Sequence, residues 1–132
     1  MPITDPIADL LLRVRNALTA HKELVEIPLN SSKKRIAEIL KQEGFIKDVQ
    51  VIKEGVQGKL RIFLKYGPHR QKAITGLKRV SKPGLRVYVT KDEIPKIFGG
   101  LALLILSTNK GIISDKRARE LKVGGEIMCY VW

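Results

Sequence analysis

Gly67-Pro68 divides this chain into two stretches with different hydrophobic periodicity, and that break constrains the fold more than any other feature. Neither residue sustains a helix or a central strand, so regular structure must stop there and restart. Before it, helical and alternating patterns take turns. Thr4-Asp5-Pro6 opens a helix, with Asp5 as cap and Pro6 at the first helical position, and Ile7, Leu10, Leu11, Val14 and Leu18 follow at helical spacing. Glu23 to Pro28 alternates like a short strand. Asn30, Ser31 and Ser32 then offer a cap for a second helix, with Ile36, Ile39 and Leu40 facing inward and Gly44 as the stop. Phe45 to Ile52 and Lys59 to Tyr66 read as strands joined by a turn. In the second of them Leu60, Ile62, Leu64 and Tyr66 share one face, and Lys59, Arg61 and Lys65 the other. The expectation is an α-β-α-β-β unit with two helices on one face of a small sheet and basic side chains on the other.

After the break the pattern is mostly β. Ala73 to Val80 and Leu85 to Val89 read as strands around Lys82-Pro83-Gly84, whose Pro and Gly suit the centre of a type II turn. Asp92 to Ile97 predicts a short helical turn closed by Gly99-Gly100. Leu101 to Leu106, the longest apolar run, reads as the buried central strand; it is far too short to span a bilayer, which takes roughly 20 residues. The fold class is therefore α+β: an N-terminal α-β-α-β-β lobe over residues 1–66, packed against a mostly β C-terminal lobe with short helices over residues 67–132.

Lys and Arg number 25 against 13 Asp and Glu, a formal charge of +12, which makes an anionic polymer the first partner to consider. The excess is uneven, with 12 basic and 8 acidic residues up to position 66 and 13 and 5 beyond it. Lys33, Lys34 and Arg35 stand in the first turn of the second helix, where the helix dipole is already positive; a solvated face and a phosphate-contacting patch both fit. Arg13 and Arg15, on two flanks of the first helix, are open to the same two readings. The single cysteine and the charged opening residues, which do not form a signal peptide, point to a reducing cytoplasm.

Catalytic chemistry has little to build on. His21 and His69 are the only histidines and Cys129 the only thiol, too few for a zinc site, and no phosphate loop or nucleophile elbow occurs. No cofactor or metal is expected. Cys129, between Met128 and Tyr130, reads as an inert core thiol. Aromatics make up 5%, too few for a sheet that stacks single-stranded bases. Folded RNA, read through its shallow minor groove and 2′-hydroxyls, suits short hydroxyl side chains and glycine-rich loops better.

Such loops are concentrated in the closing stretch, Ser107 to Trp132. Ser107, Thr108 and Asn109 can donate and accept hydrogen bonds together, Lys110 adds charge, and Gly111 permits close approach or positive φ. Ser114-Asp115 caps a helix carrying Lys116, Arg117 and Arg119. Gly124-Gly125-Glu126 precedes an apolar end strand, Ile127 to Trp132.

The patterns STNKGIISDKRAR and GGEIMCYVW resemble the closing signature of the bacterial small-subunit ribosomal protein eight family, and TDPIADLLLRVRNA resembles its first helix. GFI, LRIFLKYGP and ITGLKRVSKPGLRVYV match in order, so the likeness covers essentially the whole chain. The resemblance implies a non-enzymatic protein that binds the central domain of small-subunit ribosomal RNA at an irregular stem. It implies that Ser107, Thr108 and Asn109 enter the minor groove, with Lys110, Gly111 and Ser114 completing that loop. Gly124, Gly125 and Glu126 would form the second loop, with Tyr88 close by. Further RNA contacts are implied for Thr4, Asp5, Arg13, Arg15, Lys33, Lys34, Lys82 and Arg86. Neighbouring ribosomal proteins, notably number five, and the protein's own operon mRNA are implied partners. Two departures stand out: the family's usual third serine is Asn109 here, and Ser114-Asp115-Lys116-Arg117 lacks the reciprocal glutamate of a capping box. A free-standing translational regulator with the same loops is the alternative reading, and an RNA-modifying enzyme a remoter one.

Overall fold

The structure, a computed structural model, describes residues 5–132. Helix α1 spans Pro6–Thr19, and its cap is Asp5, whose carboxylate accepts from the Ala8 amide at 3.2 Å. The apolar stripe read from sequence is its buried face, extended by Ala17. Strand β1 (Leu24–Pro28) leads to helix α2 (Ser31–Gln42), where Asn30 accepts from the Ser32 and Lys33 amides. Strands β2 (Ile46–Ile52) and β3 (Lys59–Leu64) complete an antiparallel sheet of order β1-β3-β2, with both helices against its inner face.

The open face of that sheet is mixed rather than basic. Arg61 pairs with Glu26 at 3.0 Å, Lys59 with Glu54 at 3.5 Å, and Asp48 on β2 with Lys41 at 2.9 Å. The Arg61-Glu26 pair is cross-strand, and the other two join the sheet to its turn and to α2, so opposite charges stand beside each other.

The second sheet has the order β4-β8-β6-β7, built from β4 (Leu77–Arg79), β6 (Leu103–Thr108), β7 (Gly111–Ser114) and β8 (Gly125–Val131), with β5 (Tyr88–Val89) pairing on β8. Strand β6 lies between β7 and β8 as the hydropathy demands, and it runs on through Ser107 and Thr108. Helix α3 (Asp115–Leu121) packs on the sheet face opposite the N-terminal lobe. One face of the sheet, through Leu103, Ile105, Cys129 and Val131, joins the core of α1 and α2, so the two lobes share a hydrophobic core. The other face, through Leu104, Leu106 and Ile127, closes over Ala118 of α3. Cys129 is fully buried in the shared core, and burial pushes its thiol up to about 12, against a lesser opposing pull from Arg79.

Three local expectations are corrected. Leu77–Arg79 and Tyr88–Val89 are not the arms of a hairpin: both pair antiparallel with β8, so residues 77–89 form one edge interrupted by an excursion at 82–86. The Lys82-Leu85 turn is hydrogen-bonded in both directions, but Gly84 lacks the left-handed φ that type II demands. Finally, Asp92 to Ile97 forms no helical turn; Pro95 steers the preceding residue out of helical conformation, and a 3-10 turn forms at Ile97–Gly100 instead.

Candidate nucleic-acid interface

Side chains from three strands meet at one end of the second sheet. Across β5, β8 and β6, Tyr88 stands opposite Glu126 and Glu126 opposite Ser107; in the next row stand Val89, Gly125 and Thr108. Directly paired residues point to the same face, so Tyr88, Glu126 and Ser107 form one row and the reading loops named from sequence become neighbours. Tyr88 is 69% exposed on the edge strand.

The first loop is a tight hairpin between β6 and β7. Asn109 and Lys110 form its exposed tip, and Gly111 takes φ +95°, the left-handed position that a three-residue hairpin loop gives to glycine. Thr108 is occupied in holding this shape: its hydroxyl donates to the Gly111 carbonyl at 2.9 Å and accepts from the Lys110 amide at 3.0 Å. Thr108 therefore shapes the turn, and Ser107, Asn109 and Lys110 present groups outward.

The second loop is fixed by its backbone. A Cβ on Gly124 would meet the Val89 carbonyl, and one on Gly125 the Ser107 carbonyl, so only glycine lets the three strands approach this closely. Glu126 is not a projecting acid. Its carboxylate accepts from Ser81 Oγ and from Arg86 Nη1, the latter at 2.9 Å. Partial burial pushes its pKa up, but those hydrogen bonds and the Arg86 and Arg79 charges outweigh burial and leave it below the usual glutamate value.

Ser81 and Arg79 support this candidate site from beneath, and sequence reasoning missed both. Ser81 is fully buried at the neck of the excursion: its amide donates to Ile127, and its hydroxyl accepts from the Val87 amide at 3.1 Å while donating to Glu126. The excursion is thereby tied to the second loop, its Lys82 and Arg86 are exposed, and Arg86 reaches Glu126, the residue paired with Tyr88. A buried serine in a basic, otherwise alternating segment was the available signal. Arg79 had none, because its partners lie far away in sequence: Asp5 at 3.1 Å and the Met128 carbonyl.

The outer residues separate into engaged and open ones. Thr4 lies outside the described residues. Asp5 is spent on its cap and on the mostly buried pair with Arg79, which, with the Ala8 and Ile7 amides, holds its carboxyl below the usual range despite the opposing effect of burial. Arg15 stays exposed and gives one guanidinium nitrogen to the Leu77 carbonyl across the lobe junction. Lys33 is buried, with Asp9 at 3.9 Å, which removes it from the patch read at the start of α2. Arg35 likewise donates to the Ile112 carbonyl at 2.9 Å. Lys34 stays exposed, and Arg13 is exposed but paired with Asp9 at 3.0 Å. Ser114 is buried at the far end of β7 and caps α3 by accepting from the Arg117 amide at 3.2 Å, so it supports the loop from below instead of contacting a ligand.

No group of His, Cys, Asp and Glu among the described residues has the arrangement of a metal site, and no described helix is long and apolar enough to cross a membrane. What this end of the sheet offers is a narrow hydrogen-bonding hairpin, a glycine-lined second loop, an exposed tyrosine and several cations. The family model described as "Ribosomal protein S8" matches residues 5–132. The chain is 59% identical over 132 residues to the small ribosomal subunit protein uS8 of Desulforamulus reducens, covering 100% of both chains. It is 58% identical, again over 100% of both chains, to proteins of the same name from Desulfitobacterium hafniense and Caldicellulosiruptor bescii.

Proposed function

Because the chain belongs to the ribosomal protein S8 family, we propose that it is a structural, non-catalytic component of the small ribosomal subunit that binds a central-domain stem of the subunit's RNA through the β5-β8-β6 end of its second sheet. The observation that carries this reading is the single row of Tyr88, Glu126 and Ser107, with the Asn109-Lys110 tip beside it. A wide, shallow RNA minor groove displays 2′-hydroxyls and base edges, and a two-residue hairpin tip with short polar side chains can enter it without bulky displacement. Gly124 and Gly125 keep the neighbouring backbone equally low. Arg86 and Lys82, on the stapled excursion, supply phosphate contacts at the rim.

Glu126 fits this role as an organiser. It orients Arg86 and anchors Ser81, so its charge is neutralised by the protein and does not meet the phosphates bare. Asn109 keeps both a donor and an acceptor where the family has serine, and its exposed position leaves room for the longer side chain.

The same surface accepts any RNA that folds into the same stem, which is the physical basis for repression of the protein's own operon mRNA. The exposed apolar pair Phe98 and Leu101 supports contact with a neighbouring ribosomal protein such as number five. The working compartment is the cytoplasm, within the small subunit.

Replacing Ser107 and Thr108 together by Ala should weaken binding to the stem by more than the ~1 kcal/mol of one neutral hydrogen bond, with the far-ultraviolet spectrum unchanged. Unchanged affinity in a gel shift contradicts the loop assignment. Sedimentation of the chain with small subunits distinguishes a ribosomal component from a free-standing regulator, which would stay in the supernatant.

A further inference from the structure

Strand β8 carries one residue more than β6 has partners for. From Leu103↔Val131 to Ile105↔Cys129 the two strands step together, but the next pair is Leu106↔Ile127, so Met128 is left without a partner on β6. This is a β-bulge, and it changes which side chains share a face. Met128 and Cys129, adjacent in sequence, both enter the core shared with α1 and α2, while Ile127 turns to the α3 side. If pairing ran on without the bulge, Ile127 would stand opposite Ser107 and Glu126 opposite Thr108. Glu126 would then lie on the α3 face, because a slip of one residue moves each following side chain to the other side of the sheet. The row that joins Tyr88, Glu126 and Ser107 across three strands exists only in the bulged register.

Two features select that register. The Met128 carbonyl, turned to the β4 edge, accepts from the Val80 amide at 3.0 Å and from Arg79 Nη1 at 2.5 Å. Arg79 Nε meanwhile donates to Asp5 Oδ2 at 3.1 Å, so one planar, mostly buried guanidinium fixes the bulge against the cap of α1. Gly125 acts at the other end of the slip. In the unbulged register Glu126 would take its place opposite Thr108, where a Cβ meets the Ser107 carbonyl.

We infer that Arg79 is a positioning residue for RNA recognition: it holds the Met128 bulge and so decides that Glu126, and not Ile127, stands beside Ser107. The inference rests on the RNA-binding reading above and assigns a further residue to that same site. Arg79 touches no ligand in this role. Its loss should lower affinity by dispersing the row, without removing a phosphate contact.

The test takes the full chain with Arg79→Met, checked for folding by thermal melting, through two measurements: nuclear Overhauser contacts between the backbones of β6 and β8, and filter binding to the isolated central-domain stem over a range of salt. Contacts from Ser107 should pass wholly or partly from Glu126 to Ile127, and affinity should fall by about tenfold, the worth of one or two hydrogen bonds. The slope of log affinity against log salt should stay parental, whereas a lost phosphate contact on a duplex would make it shallower by about 0.9. Deleting Met128 from the variant removes the extra residue, so plain pairing itself sets Glu126 opposite Ser107 and affinity should return towards the parent's. Parental strand contacts in Arg79→Met overturn the proposal whatever the affinity. A shallower salt slope makes Arg79 a phosphate contact and overturns it too, as does a folded double variant that binds no better than Arg79→Met. Should Arg79→Met fail to fold, Arg79→Lys, whose single nitrogen cannot serve Met128 and Asp5 together as the fork does, takes the same measurements, and parental strand contacts there overturn the proposal. If Ser107→Ala/Thr108→Ala leaves stem binding unaffected, the reading beneath fails, while the strand contacts still report on the register.

Discussion

Ser81 makes three of the bonds that bring the excursion to the second loop, and it touches no surface. Replacing it by Ala leaves the Val87 amide without its partner and Glu126 with one donor fewer, at a cost of about 1 to 3 kcal/mol. Expressed as melting temperature this is a fall of roughly 4 °C per kcal/mol for a chain of this size, and affinity for RNA should drop although no contact has been removed directly. Gly125→Ala is harsher at the same place. Its methyl group meets the Ser107 carbonyl, so β6 and β8 must part, and a loss of about 1 to 3 kcal/mol should be accompanied by loss of stem binding. Glu126→Gln keeps an acceptor for Ser81 and removes the charge that holds Arg86, so binding should weaken by about 1 kcal/mol, the difference between a charged and a neutral hydrogen bond. Tighter binding of that variant in a filter assay contradicts the organising role and makes Glu126 a simple repulsive charge. Tyr88, Ser107 and Glu126 were legible as candidates in the sequence, but the division of labour was not. Thr108 and Ser114 carry the right hydroxyl for contact and use it on the turn and on the α3 cap, a choice made by strand register and burial that local sequence does not encode.

At the scale of elements, α1 and α2 were readable because cap and periodicity agreed, and for α2 the stop at Gly44 as well: Asp5 and Asn30 are the caps, and the apolar stripes are the buried faces. The edge of the second sheet was not. A Pro-Gly pair between two alternating segments fits a hairpin and an excursion equally well, and only pairing of both segments with β8, more than thirty-five residues later in the chain, decides between them. Lys33, Arg15 and Arg35 illustrate the same point for charge. Each looked available for phosphate, and each has a partner in the fold: Lys33 is buried beside Asp9 between the two helices, while Arg15 and Arg35 donate across the lobe junction to the carbonyls of Leu77 and Ile112. The Asp5-Arg79 pair is the ionic tie of that junction. Since the folded-state pKa of Asp5 is lowered, its contribution is fully present above the ordinary value of 3.8 and is lost as pH falls through the lower folded value. Asp5→Asn retains a capping oxygen and cannot ionise, so its unfolding free energy should be lower than the parent's near neutrality and fall less steeply on acidification. Parallel acid limbs in urea melts contradict this.

For the molecule as a whole, the charge of +12 and the nearly neutral reading row do different work. Exposed Lys and Arg bring the protein to any polyanion and make affinity fall steeply with salt, whereas the row of Tyr88, Glu126 and Ser107 and the hairpin tip choose among RNAs. Raising salt should therefore reduce affinity for the cognate stem and for an unrelated duplex together, with the ratio between them growing as the common electrostatic part is screened. Loss of the ratio at high salt contradicts the separation. The shared core supports this arrangement: the face of β6 and β8 that carries Ser107 and Glu126 continues into the packing of α1 and α2, so the reading row is an extension of a rigid base. The most direct measurement is backbone cleavage of the whole central-domain RNA by hydroxyl radicals, with the parent chain and with Ser107→Ala/Thr108→Ala. The parent should protect the facing sugars of one stem's minor groove, and the variant should lose that protection while keeping its fold. Equal protection by both chains, or protection only at sites away from a stem, contradicts recognition by the closing loops.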